Sequence, residues 1–230
     1  MANVLDNPAW NALLSGNQSL AFGSLDVKFF DKSVSPFVGL RDNSDANFSE
    51  LLELLPHNGP AGFISPVERE IPAAWQILNH IKCYQMVYNG KVKDTHTDIE
   101  LLPLTKEHIP QMLALTKLTN PGPFAERTID FGHYYGIFDN GNLVAMTGQR
   151  MNPLPYAEIS AVCTHPDHLG KGYAQQLLNF HINRIMQEGN IPMLHVRTDN
   201  DRAVEVYKKV GFEIRRELQF YIIKKQDGVD

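Results

Sequence analysis

One stretch constrains this chain more than any other: residues 158–178, EISAVCTHPDHLGKGYAQQLL. An apolar, β-prone run over 159–164 meets a breaker, His165-Pro166-Asp167, then a glycine loop, Gly170-Lys171-Gly172, then a helical pattern from about Tyr173. The order is strand, turn, glycine loop, helix. The first turn of a helix leaves backbone N–H groups unpaired and carries a partial positive charge, and glycines let a diphosphate approach the main chain closely. The stretch therefore points to a phosphate-bearing ligand, although a tight turn before an ordinary helix has the same local pattern.

Two common phosphate loops are excluded by spacing. A nucleotide-triphosphate loop needs Gly-Lys followed by Ser or Thr to hold magnesium, whereas Lys171 is followed by Gly172. The dinucleotide fingerprint needs three glycines at its own spacing and an acidic residue about twenty positions on. Neither fits. Leu169, Gly170, Lys171, Gly172, Tyr173 and Ala174 instead resemble the motif of the GNAT superfamily of acyl-CoA-dependent N-acyltransferases: Arg or Gln, two residues, Gly, one residue, then Gly or Ala. Leu169 stands where Arg or Gln is usual, which removes a side-chain donor but no backbone N–H.

A second pattern lies at residues 200–212, NDRAVEVYKKVGF. Asn200, Ala203 and Tyr207 fall at i, i+3 and i+7, so a polar group, a small residue and a phenol share one helix face. A surface helix closed by a glycine cap at Gly211 fits the same residues. The resembled superfamily has this pattern too, and both motifs occur in its order, separated by one helix and one strand.

Composition bounds the rest. With 43% hydrophobic and 20% charged residues the chain reads as an ordinary globular protein, and a net charge of −5 without a Lys/Arg cluster argues against a nucleic-acid surface. Cys83 and Cys163 form neither a disulfide framework nor a metal pattern, and His165 with His168 lacks a third ligand in register, so no metal is expected. No signal segment or bilayer-length apolar run is visible, which predicts a cytoplasmic protein without membrane contact.

Residues 1–95 read as a small α/β layer, with short helices at 7–14 and before Pro56 and strands at 27–30, 37–40, 61–64 and 85–88. The polar segment 91–97 predicts a boundary, and 96–230 the catalytic domain. There a strand at 99–102 precedes a helix opened by Thr105, with His108 at the capping-box position. A hairpin over 134–147 turns at Asn140-Gly141, strands follow at 192–196, 213–216 and 219–224, and 226–230 is a frayed tail. The expected fold is α/β (α+β): a mixed, mostly antiparallel sheet flanked by helices, preceded by an extra N-terminal α/β region.

The resemblance implies acetyl-CoA as co-substrate and transfer of its acetyl group to a primary amine of a small molecule or amino acid. It is similar to the branch that includes glycine N-acyltransferase. A catalytically silent acyl-CoA sensor and a protein or peptide N-acetyltransferase are the alternatives, and a homodimer is allowed. By the same resemblance, the strand around Val162 splays from the strand around Leu194, and main-chain groups of Val162 and Thr164 bond the pantetheine. Leu169 to Ala174, with Asn200, Ala203 and Tyr207, complete the cofactor site. The Val162 N–H would polarise the thioester carbonyl, a contribution of about 3 kcal/mol for a donor of this kind. Tyr207 is the expected general acid and Glu158 the expected base; the plain alternatives are a packing tyrosine and a solvated strand carboxylate. Acceptor contacts are expected within residues 119–133. Lys171 is expected to neutralise phosphate, and Cys163 to be core.

Overall fold

The computed structural model describes residues 3–92 and 99–226, so part of the expected boundary at 91–97 and most of the expected tail lie outside the described residues. In chain order the elements are α1 (Pro8–Leu14), β1 (Ala21–Gly23), β2 (Val27–Phe30), β3 (Phe37–Leu40), α2 (Asp45–Leu54), β4 (Ala61–Ser65) and β5 (Trp75–Tyr88). They continue with β6 (Leu102–Pro103), α3 (Ile109–Thr119), β7 (Tyr135–Asp139), β8 (Asn142–Gln149), β9 (Tyr156–Thr164) and α4 (Tyr173–Gln187). The last are β10 (Ile191–Arg197), α5 (Asp201–Val210) and β11 (Phe212–Lys225).

The eleven strands among the described residues join one sheet in the order β1-β2-β3-β4-β11-β5-β10-β9-β8-β7-β6. Neighbours are antiparallel except β3 with β4 and β9 with β10. The expected mixed, mostly antiparallel sheet with flanking helices is therefore present. The N-terminal strands do not form a separate layer: β5 lies between β11 and β10, and β4 pairs with β11. The expected division near residue 95 is not a break in the sheet. β11 is one strand where two are expected, because a bulge at Arg215 between the pairs Ile214↔Met86 and Arg216↔Gln85 interrupts the side-chain alternation without ending the ladder.

Helices cover both faces because each carries an apolar stripe. Leu177, Leu178, Ile182 and Ile185 of α4 are fully buried, at helical spacing, and the last three pack with Ile159, Leu194 and Val204. On the opposite face Ala9, Ala12 and Leu13 of α1 join Met112 and Leu115 of α3 over Met146, Cys163 and Phe220. The capping box at Thr105 forms with His108, whose Nδ1 accepts from the Thr105 N–H at 2.9 Å. No helix among the described residues is long and apolar enough to cross a membrane.

Candidate active site

The site is built where β9 and β10 part. They pair in parallel at Ile191↔Tyr156, Pro192↔Ala157 and Met193↔Glu158, and nowhere beyond, although β9 runs on to Thr164 and β10 to Arg197. Backbone groups facing this gap have no ladder partner on the opposite strand, so they are available to an extended ligand.

A bulge in β9 opens the same region. Met146↔Cys163 and Gly148↔Ser160 are successive rungs with β8, leaving Ala161 and Val162 opposite the single Thr147. Ala161 takes φ +53°, a left-handed conformation that a Cβ disfavours. The extra residue reverses the strand: Ala157 and Ile159 pack with α4 and α5, whereas Ala161 and Cys163 pack with α1 and α3, and Val162 turns back toward α4.

Beyond β9 the chain reaches the glycine loop. Gly170 and Gly172 have φ +80° and +77°, and a Cβ at Gly170 would meet nothing within 4 Å. Gly172 is the N-cap of the fifteen-residue α4 and supplies no side-chain cap, so the N–H groups of its first turn are left for a ligand. Lys171 is exposed, its Nζ 5.9 Å from the centre of the Tyr173 ring. Leu169 is 48% exposed. Open space, unpaired N–H groups and a lysine suit a diphosphate.

Residues 134–221, which contain the splay, the loop and α5, match the family described as FR47-like protein. Over 98% of its length the chain superposes on the whole of a structure from Novosphingobium aromaticivorans DSM 12444 described as an acetyltransferase of the GNAT family, with a TM-score of 0.90 and 29% identity. The chain belongs to the GNAT superfamily. A GCN5-related N-acetyltransferase from Kribbella flavida shares the GNAT fold over 95% of both chains, with a TM-score of 0.63 and 11% identity. Among curated proteins, N-alpha-acetyltransferase RimI of Mycobacterium tuberculosis (strain ATCC 25618 / H37Rv) is 34% identical over 85 residues, 35% of this chain. The chain spans about half the length of that curated relative, 52%.

The second GNAT motif lies on α5. Asn200 caps the helix, its Oδ1 accepting from the Ala203 N–H at 3.1 Å, and Gly211 closes it at φ +118°. Ala203 and Tyr207 are half-buried on its inward side, and Tyr207 packs against Phe212 with ring centres 6.2 Å apart. Burial, reinforced by the neighbouring Cys163, pushes the Tyr207 phenol up to about 12. It therefore keeps its proton throughout the neutral range. Burial likewise raises the Cys163 thiol to about 11, which fits a core residue rather than a nucleophile.

Glu158 requires a correction. The alternative of a solvated carboxylate does not hold, because Glu158 is 0% exposed. Arg150 grips it with two hydrogen bonds, Nε to Oε2 at 3.0 Å and Nη2 to Oε1 at 2.6 Å. His195 Nδ1 lies 2.7 Å from Oε1, and the Met151 N–H donates to Oε2 at 3.2 Å. Burial alone would raise its pKa; the Arg150 charge and then His195 override this and hold it at about 2. A carboxylate so occupied is a poor proton acceptor, and it serves as an anchor for Arg150 and His195.

Sequence reasoning missed Arg150, His195 and Gln85, which form a buried string on one face of the sheet. Gln85 is directly opposite His195 in the β5–β10 ladder, and its Nε2 lies 3.0 Å from His195 Nε2. Nothing in a local pattern announces this, since Gln85 lies on β5, His195 on β10 and Arg150 just past the end of β8, and only register brings them together. The one available signal was polar residues set into apolar runs, as in Met193-Leu194-His195-Val196. The segment expected to meet the acceptor, 119–133, supplies Pro121, Gly122, Pro123, Phe124 and Thr128 to a narrow cleft completed by Tyr134, Arg150, Ser160 and Ala161. The cleft thus abuts the β9 bulge.

Proposed function

We propose that this chain is an N-acetyltransferase that uses acetyl-CoA and a primary amine of a small molecule or amino acid. The observation that carries the reading is the parting of β9 from β10 after Met193↔Glu158, because it opens a slot leading to the uncapped first turn of α4. In this reading the α4 first turn, with Lys171, holds the pyrophosphate, and the free main-chain edge of β9 at Val162 and Thr164 holds the pantetheine. Asn200, Ala203 and Tyr207 bound the slot from α5.

The thioester supplies the activated acetyl group, and the remaining tasks fall to the chain. The Val162 N–H donates to the carbonyl oxygen as negative charge develops on it, worth about 3 kcal/mol. The amine must arrive neutral, and with Glu158 sealed its proton leaves to solvent. Tyr207, still protonated, gives its proton to the departing thiolate. The likeness to RimI supports a second reading, in which the amine is a peptide N-terminus. CoA release from acetyl-CoA, measured with a panel of small amines and short peptides, tests both; acetyl-CoA binding without release on any acceptor would leave a sensor and refute the transferase.

A further inference from the structure

The cleft beside the β9 bulge is nearly closed. Its volume is about 10 Å³, the space of a single water, and Pro121, Gly122, Pro123 and Phe124 cover it on the loop side. An amine of more than a few heavy atoms enters only if this cover gives way. At one end the cover is free to turn: Gly122 has φ +131°, and a Cβ there would meet nothing within 4 Å. At the other end it is fixed. Phe131 is buried, with its ring centre 5.1 Å from that of Phe30.

The ties that hold the cover down lead to the N-terminal region. Among the described residues, the backbone of 121–131 makes one hydrogen bond to another part of the chain, from the Arg127 N–H to the Ser33 carbonyl at 2.8 Å. Thr128 supplies the second tie. Its hydroxyl donates to the Val34 carbonyl at 2.7 Å and accepts from the Ala125 N–H at 2.8 Å, so one oxygen fixes both the shape of the cover and its position. Thr128 is 3% exposed, and a buried hydroxyl with both bonds made specifies a single arrangement. Ser33 and Val34 sit in a tight turn between β2 and β3, which Asp31 shapes. The Asp31 carboxylate accepts from the Ser33 N–H at 2.8 Å and from its hydroxyl at 2.5 Å, and the Asp31 carbonyl accepts from the Val34 and Ser35 N–H groups. Neither Asp31 nor the two carbonyls that hold the cover line the cleft.

We propose that Thr128, held by the turn at 31–35, sets the size of the amine that is acetylated, so that the N-terminal region latches the acceptor cleft. This rests on the transferase reading above. Thr128 acts as a positioning residue, through the cover and not on the reacting atoms. A large amine binds only the open arrangement, so its apparent affinity is reduced by the fraction of molecules that are open. Loosening the latch raises that fraction and with it the affinity for large amines. The smallest amines need the least opening and gain least.

The test measures kcat/KM for CoA release with a graded panel of primary amines, from methylamine to benzylamine, in the wild type, Thr128→Val, Thr128→Ser and Asp31→Ala. Thr128→Val keeps the side-chain shape and removes the hydroxyl. The ratio of the largest to the smallest amine turned over should rise about tenfold in it, through a lower KM for the large amine, as for the loss of one buried hydrogen-bonding group. Comparing ratios between variants cancels the different basicities of the amines. Thr128→Ser keeps the hydroxyl and should restore the wild-type ratio. Asp31→Ala, away from the cleft, should shift the ratio in the same direction as Thr128→Val, and Kd for CoA should match the wild type in all three. An unchanged ratio in Thr128→Val or in Asp31→Ala, or a Thr128→Ser protein that behaves like the valine variant, would each overturn the proposal while sparing the transferase. If Thr128→Val does not fold, the half-buried Asp31 decides through its own variant. No release with any amine by the wild type would overturn the transferase reading and this one with it.

Discussion

Met193 and Glu158 form the last rung between β10 and β9, and the same Glu158 pins Arg150 and His195 on one face of the sheet. The point at which the strands part is therefore also the point at which a buried ion pair fixes the geometry of β8, β9 and β10. Parting strands would otherwise expose a flexible edge. The pair of hydrogen bonds from Arg150 fastens the end of β8 to β9 next to that edge, which keeps the gap open at one position.

Tyr207→Phe should lower kcat for acetyl transfer by about 100-fold, at the low end of what a positioned acid contributes, with acetyl-CoA affinity nearly unchanged. Steady-state kinetics alongside calorimetric titration with CoA separates the two. Because the phenol loses its proton only near 12, the wild-type rate should rise with pH as the amine is deprotonated and show no fall from Tyr207 below pH 10. Full activity in the phenylalanine variant would remove Tyr207 from the reaction.

Gly170→Val should raise Kd for CoA by about tenfold or more. The site at φ +80° becomes strained, and a side chain enters the open space before α4. The loop lies at the surface, so thermal stability should drop by only about 1–2 kcal/mol. Unaltered CoA binding would show that the pyrophosphate lies elsewhere.

Arg150→Met alone should destabilise the fold by about 3–5 kcal/mol, because it abandons the buried Glu158 carboxylate. Adding Glu158→Gln should recover most of that loss. Urea denaturation of the two variants measures the difference, and equal stabilities would mean that Glu158 does not depend on Arg150.

Stability should fall in acid in two stages. His181 is fully buried, and burial first, then the Arg184 charge, lowers its pKa from 6.5 to about 3, so the folded state binds its proton later than the unfolded chain. That contribution is complete above pH 6.5 and is lost between 6.5 and 3. Glu158, lowered from 4.5 to about 2, adds a loss that begins near 4.5 and is complete below 2. Denaturation at intervals from pH 7 to 3 should give a falling curve, and His181→Leu should flatten its upper part. A curve level down to pH 4 would contradict both assignments.

The sequence alone determined the elements whose cause is local. The breaker at Pro166, the glycines at 170 and 172 and the apolar stripe of α4 prescribe loop and helix without help from distant residues, and Asn140-Gly141 prescribes the hairpin between β7 and β8. The resemblance at 169–174 and 200–212 led to the superfamily. Tertiary structure decided what depends on register. That β5 enters the sheet between β10 and β11 follows from pairings across more than a hundred residues, and no pattern within β5 records them. One added residue in β9 exchanged the faces of Ala161 and Val162, and a one-residue slip reverses every side chain after it. The surroundings of Glu158 were decided the same way: His195 reaches it from β10 and Arg150 from just past the end of β8.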